Sequence, residues 1–202
     1  MSALHDQLDR AGVRTLAEVR RVQVAGPGDG RQEADRLVDG GADLVVLDAL
    51  PSPAATAAVA VLLDLEPVAA IGTAATGDWA ARVVTLRDTL GRVRRYAHEP
   101  DQLRAALDDP ILSRTAELLE GLSIRQTPVL LGDSQTVAAA ALLVVRRCPG
   151  AASGWLASGT PDDPAGRAAL EELALTPLLD LGLHGDASRY ALALLREAVG
   201  GA

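Results

Sequence analysis

Two carboxylates stand just past apolar runs short enough to be strands: Asp48 after residues 44–47, and Asp133 after residues 128–131 and Gly132. A hydroxyl-bearing residue follows each one, Ser52 between Pro51 and Pro53, and Ser134 next to Asp133. Each hydroxyl opens a stretch of little but Ala, Val and Leu. Serine is a good N-cap, because its oxygen accepts a bond from an amide left unpaired in the first helical turn, and proline suits the first helical position. The pattern is strand, carboxylate, cap and buried helix, twice over. In open α/β sheets ligands sit outside the carboxyl ends of the strands. Such an edge offers helix N-termini to an anionic ligand and carboxylates for acid/base work. The competing reading is that both aspartates merely cap their helices. That reading suits Asp133 better than Asp48, which lies four residues ahead of its cap.

The elements that must hold these groups follow from the rest of the pattern. A continuous apolar run suits a strand buried on both faces of a parallel sheet. Strand and helix patterns alternate from residue 31 onward. The expected class is therefore α/β, an open and mainly parallel sheet flanked by Ala-rich helices in three Rossmann-like layers. Residues 1–30 read as an N-terminal helical segment and linker, and 31–202 as the α/β domain. In the first part, Leu4, Leu8, Val13, Leu16 and Val19 form an apolar stripe over 2–21, broken near Gly12, and the turn-rich run 26–30 follows. Residues 68–71 suggest a short strand or buried loop, and 78–96 a helix. Its closing Arg92, Arg94 and Arg95 are read as complements to the helix dipole rather than as an anion site. A helix is expected over 111–120, stopped by Gly121, and a last one over 191–199.

Composition narrows the chemistry. The chain has 202 residues, 49% hydrophobic but only 2% aromatic, which makes a finely divided Ala/Val/Leu core. Phe, Lys and Asn are absent. Without lysine there is no P-loop lysine, Schiff base or lysine general base. A net charge of −8 argues against nucleic-acid binding, which needs a basic face. One cysteine, Cys148, and three scattered histidines offer neither a disulfide framework nor a zinc cluster. The first residues lack a secretory pattern, and no uncharged apolar run reaches the ~20 residues of a membrane span, so a cytoplasmic protein is expected.

Three segments carry a resemblance to a known family. The most specific is the tail, Glu171-Glu-Leu-Ala-Leu-Thr-Pro-Leu-Leu-Asp-Leu-Gly-Leu183; upstream lie Pro128-Val-Leu-Leu-Gly-Asp-Ser-Gln-Thr-Val-Ala-Ala-Ala-Ala-Leu142 and Trp155-Leu-Ala-Ser158. With these, the order of pieces from Asp39 onward resembles the nicotinate-nucleotide–dimethylbenzimidazole phosphoribosyltransferase family of cobalamin assembly. The resemblance implies transfer of the ribosyl phosphate of nicotinate mononucleotide to dimethylbenzimidazole. It implies Asp186 as general base on the acceptor nitrogen, where the family has glutamate. Asp48, at the family's other acidic position, would stabilise the oxocarbenium-like ribose or the leaving group. Ser52, Gly72 and Thr73 would hold the phosphate, with Asp133, Ser158 and Gly185 as further substrate contacts. No metal and no cofactor enter this reading. The implied partners are a small nucleotide, an aromatic base, and a second copy or a full-length homologue in a homodimer or heteromer.

Several family features are altered. Asp186 and Asp48 are each one methylene shorter than glutamate. The family's glycine-rich cradle is replaced by Leu50-Pro-Ser-Pro-Ala-Ala55, and Ser188-Arg189-Tyr190 stands where the family keeps the backbone open. These changes suggest an alternative, a non-catalytic paralogue acting as a ligand-binding or partner subunit.

Overall fold

The computed structural model describes residues 2–73, 78–180 and 186–200. Among these residues four strands, β1 (Val19–Val24), β2 (Leu44–Ala49), β3 (Val129–Leu131) and β4 (Trp155–Ala157), form one parallel sheet in the order β1-β2-β3-β4. The helices before β3 are α1 (Ser2–Ala11), α2 (Gly30–Asp39), α3 (Pro53–Leu62), α4 (Pro67–Ile71), α5 (Trp79–Val93), α6 (Pro100–Leu107) and α7 (Pro110–Ile124). After β3 come α8 (Gln135–Arg147), α9 (Pro164–Glu172) and α10 (Ala187–Gly200).

Strand order explains the layering. Parallel crossovers are right-handed, so a sheet whose strands run in sequence order receives all its crossover helices on one face. The larger core lies there: Val45, Leu47, Val129, Leu131 and Trp155 pack against the helices between α2 and α9. The opposite face would be bare, and the chain ends cover it. Leu44, Val46, Leu130 and Leu156 meet Leu8 and Ala11 of α1, and Ala191, Leu192 and Leu195 of α10. Alternate residues of each strand therefore enter opposite cores, as a two-residue repeat demands. The three-layer α/β expectation is met.

Small side chains let the crossover helices pack closely. Eight residues of α3 are buried, most of them alanine or valine. Proline opens α3, α4, α6, α7 and α9, where its missing N–H leaves no bond unmade.

Five local expectations need correction. The helical reading of the first segment holds for α1, which ends at Gly12 with φ 71°. Beyond it the chain becomes β1, whose Arg20, Arg21 and Gln23 are exposed along the sheet edge; this mixed charge pattern hid the strand. The run 26–30 is more than a linker, because Asp29 caps α2 by accepting from the Gln32 N–H at 2.9 Å. Residues 68–71 are helical, not a strand or loop. Gly121 does not stop α7 but lies inside it, because a Cβ there would fall 2.6 Å from the Ala34 Cβ of α2. The last helix begins four residues earlier than expected, at Ala187.

Candidate active site

The strand ends are level. Leu47 pairs with Leu131, and Leu131 with Ala157. The ladder then runs one step further: the Gly132 N–H donates to the Leu47 carbonyl at 2.8 Å, and the Ser158 N–H to the Leu131 carbonyl at 2.9 Å. Asp48, Gly132 and Ser158 thus leave the sheet side by side.

Asp48 shares the strand parity of Leu44 and Val46, so its side chain lies on the α10 side. There the Ser188 hydroxyl, in the first turn of α10, donates to Asp48 Oδ2 at 3.1 Å. The other carboxylate oxygen presses on backbone: a Cβ on Gly132 would fall 2.1 Å from Asp48 Oδ1. Only glycine leaves room for this carboxylate. Burial pushes the Asp48 carboxyl above the ordinary carboxylate range; the Ser188 bond opposes the shift, the charge of Asp133 adds to it, and Arg21 opposes it. A half-buried aspartate with a raised pKa is a stronger proton acceptor than a free one.

The exit of β4 closes the cluster. A Cβ on Gly159 would meet the Ala187 Cβ at 2.5 Å and the Asp133 Cβ at 3.3 Å, so this turn packs between the start of α10 and the segment after β3. Ser158 is fully buried, its carbonyl accepts from the Leu179 N–H at 3.1 Å, and its Oγ has no hydrogen-bond partner among the described residues. A buried hydroxyl without a partner is uncommon and calls for an explanation such as a ligand or water.

The hydroxyls of the two strand–helix units take the capping role. Ser52 Oγ accepts from the Ala54 N–H at 3.2 Å, and Ser134 Oγ from the Val137 N–H at 3.2 Å. The two units are also tied together: Ser52 N–H donates to Thr136 Oγ1 at 2.9 Å, and that hydroxyl donates to the Leu50 carbonyl at 3.0 Å. Beside Ser52 a cleft of about 530 Å³ opens between α3 and α5, with Thr56, Arg82, Thr85 and Gln135 on its walls. That volume is in the range of small-molecule sites.

The structure thus brings Asp48, Asp133 and Ser158 into one cluster, with Ser52 at the adjoining helix start. Asp186 is exposed and immediately precedes α10; its carbonyl accepts from the Arg189 N–H at 3.1 Å and the Tyr190 N–H at 3.4 Å, which starts the helix. Arg189 and Tyr190 themselves are exposed. Gly72 lies at the end of α4 with φ 76°, packed under Pro164. Its N–H already donates to the Val68 carbonyl at 2.9 Å, and its carbonyl accepts from Trp79 Nε1 at 2.6 Å. Thr73 is exposed, and Gly185 lies outside the described residues. Sequence reasoning missed Ser188, Gly132, Gly159 and Thr136. Gly132 and Gly159 each follow a strand, the one signal that could have singled them out.

Residues 27–200 match the family model described as a phosphoribosyltransferase, DBI_PRT. The nicotinate-nucleotide–dimethylbenzimidazole phosphoribosyltransferase of Mycobacterium tuberculosis is 37% identical over 179 residues, which are 84% of this chain and 49% of that protein. The like-named protein of Corynebacterium efficiens is 34% identical over 82% of this chain and 47% of its own length. The solved structure of the Thermus thermophilus nicotinate-nucleotide–dimethylbenzimidazole phosphoribosyltransferase superposes with a TM-score of 0.72 at 30% identity, over 84% of this chain and 52% of that one. The chain thus spans about half the length of the relatives it matches. Among the described residues no helix is long and apolar enough to cross a membrane. With the match extending from the loop before α2 to the end of α10, the chain belongs to the DBI_PRT phosphoribosyltransferase family.

Proposed function

We propose that the chain transfers the ribosyl phosphate of nicotinate mononucleotide to an aromatic base of the benzimidazole type. The observation that carries this reading is the Asp48–Ser188 contact, which joins the end of β2 to the first turn of α10 and so brings the acidic residue of one segment beside the segment that starts at the other, Asp186. The acceptor nitrogen forms a bond to the anomeric carbon as the bond to nicotinate breaks, and the electron pair leaves on the pyridine nitrogen. Asp186 takes the proton from the acceptor's second nitrogen. The Asp48 carboxylate faces the positive charge that develops on the ribose. The cleft beside Ser52, walled by Arg82 and by hydroxyls, suits the phosphate, and the unpartnered Ser158 hydroxyl is free to meet a polar group of the substrate.

Incubation with nicotinate mononucleotide and dimethylbenzimidazole, followed by chromatography for nicotinate, tests this directly. Release is expected from the wild-type chain, with a loss of roughly 100-fold or more in Asp186→Ala. Binding heat with the nucleotide but no release would instead support the non-catalytic subunit. The proposal also covers the setting: a reducing cytoplasm, where an exposed Cys148 stays free, and a homodimer or a heteromer with a longer homologue. Light scattering of the purified chain, alone and mixed with such a homologue, tests the assembly.

A further inference from the structure

We infer that Ser188 is a positioning residue: its hydroxyl holds the Asp48 carboxylate and, through the same bond, fastens the first turn of α10 to the sheet, so that Asp48 and Asp186 are placed as one unit. For catalysis this rests on the transferase reading; the mechanical part does not.

Three observations carry it. Ser188 is buried, and its hydroxyl is spent on Asp48 Oδ2 at 3.1 Å rather than on its own helix. Asp48 cannot shift to escape the bond, because Gly132 backs its other oxygen. The Asp186 backbone moves with the helix, because its carbonyl is bound by the amides of Arg189 and Tyr190, the two residues after Ser188. On its other side the same turn rests on Gly159 through Ala187. A displacement of the first turn would therefore carry Asp186 with it and strip Asp48 of its donor. Misplacement of a reacting group by ~1 Å can lower a rate by about 100-fold.

Among the described residues, the charged groups bearing on Asp48 are Asp133 from the β3 side and Arg21 from β1. On α10 the neighbouring Asp186 and Arg189 are both exposed. Protonation of Asp48 removes a charged acceptor, which makes stronger hydrogen bonds than a neutral one, so it should loosen the fastening.

The experiment reads the full chain by carbon NMR of the Asp48 carboxyl and by hydrogen exchange of the Arg189 and Tyr190 amides. In the wild type, protection of these two amides is expected to fall as Asp48 takes up its proton, with the same midpoint. In Ser188→Ala the Asp48 midpoint moves up and the two amides lose protection by about tenfold, while Leu195 further along α10 keeps its own. Amide protection independent of Asp48 titration in the wild type overturns the proposal, and so does an unchanged Asp48 midpoint in Ser188→Ala. Where wild-type release of nicotinate is measured, Ser188→Ala should lower kcat by roughly 10- to 100-fold with KM little changed, and move the acid limb of the rate profile to higher pH. A wild-type profile in that variant overturns the catalytic part. A wild-type chain that releases no nicotinate defeats the transferase reading, and the two spectroscopic tests still decide the fastening.

Discussion

Gly132 lies directly against Asp48: the position of a Cβ on the glycine is 2.1 Å from Asp48 Oδ1, 3.1 Å from its carboxyl carbon and 3.1 Å from the Leu47 carbonyl oxygen. Gly132→Ala therefore forces the carboxylate off its seat. It should destabilise the chain by about 1–3 kcal/mol, as overpacking commonly does, and, on the transferase reading, abolish nicotinate release. Urea denaturation and the release assay check the two halves. Unchanged stability would show that the carboxylate has somewhere else to go.

Asp48→Asn isolates the effect of burial on the carboxyl. Its folded pKa is raised, so between the unfolded value of ~3.9 and the raised value the folded state binds more protons than the unfolded one. The favourable contribution is complete below the unfolded pKa and is lost as pH rises through the folded one. Asparagine has no such dependence. The stability of Asp48→Asn relative to wild type should thus increase as pH rises from ~4 towards neutrality, then level off. Paired urea curves across that range test the sign; a pH-independent difference would refute it.

Thr136→Val tests the link between the two strand–helix units. It removes an acceptor from the buried Ser52 N–H and a donor from the part-buried Leu50 carbonyl, while keeping the shape. The expected loss is about 1–3 kcal/mol, chiefly from the Ser52 N–H left unpaired. Thr136→Ser, which keeps the hydroxyl, should recover most of it. Equal losses in the two variants would assign the effect to packing.

Gly121→Ala addresses the α2–α7 contact far from the site. The new methyl would sit 2.6 Å from the Ala34 Cβ, so the helices must separate. Although alanine is the better helix former by ~1 kcal/mol, the clash should dominate and lower stability. Ala34→Gly in the same chain should restore part of the loss. On the transferase reading, activity per folded molecule is expected to stay near wild type, since neither residue adjoins the cluster around Asp48.

Much of this protein is written locally. The buried runs of β2, β3 and β4, the caps at Ser52 and Ser134, and the alanine-rich α3 and α8 follow from short-range patterns, because burial and capping are decided within a few residues. The two aspartates at the strand ends followed from the same patterns, and the likeness of the tail segment pointed to the family. Tertiary structure decided the rest. β1 was not legible because an edge strand keeps Arg20, Arg21 and Gln23 in water, so its alternation is confined to Val22-Gln23-Val24. Gly121 looked like a helix stop because its reason for being glycine is Ala34, on another helix. Gly132 and Gly159 are required by side chains that reach them from β2 and α10. The partner of Asp48 is a serine 140 residues away, and no periodicity links the two. Strand order alone sent every crossover to one face, left the other to the chain ends, and so brought α10 with Ser188 over the carboxylate that β2 carries to the sheet's edge.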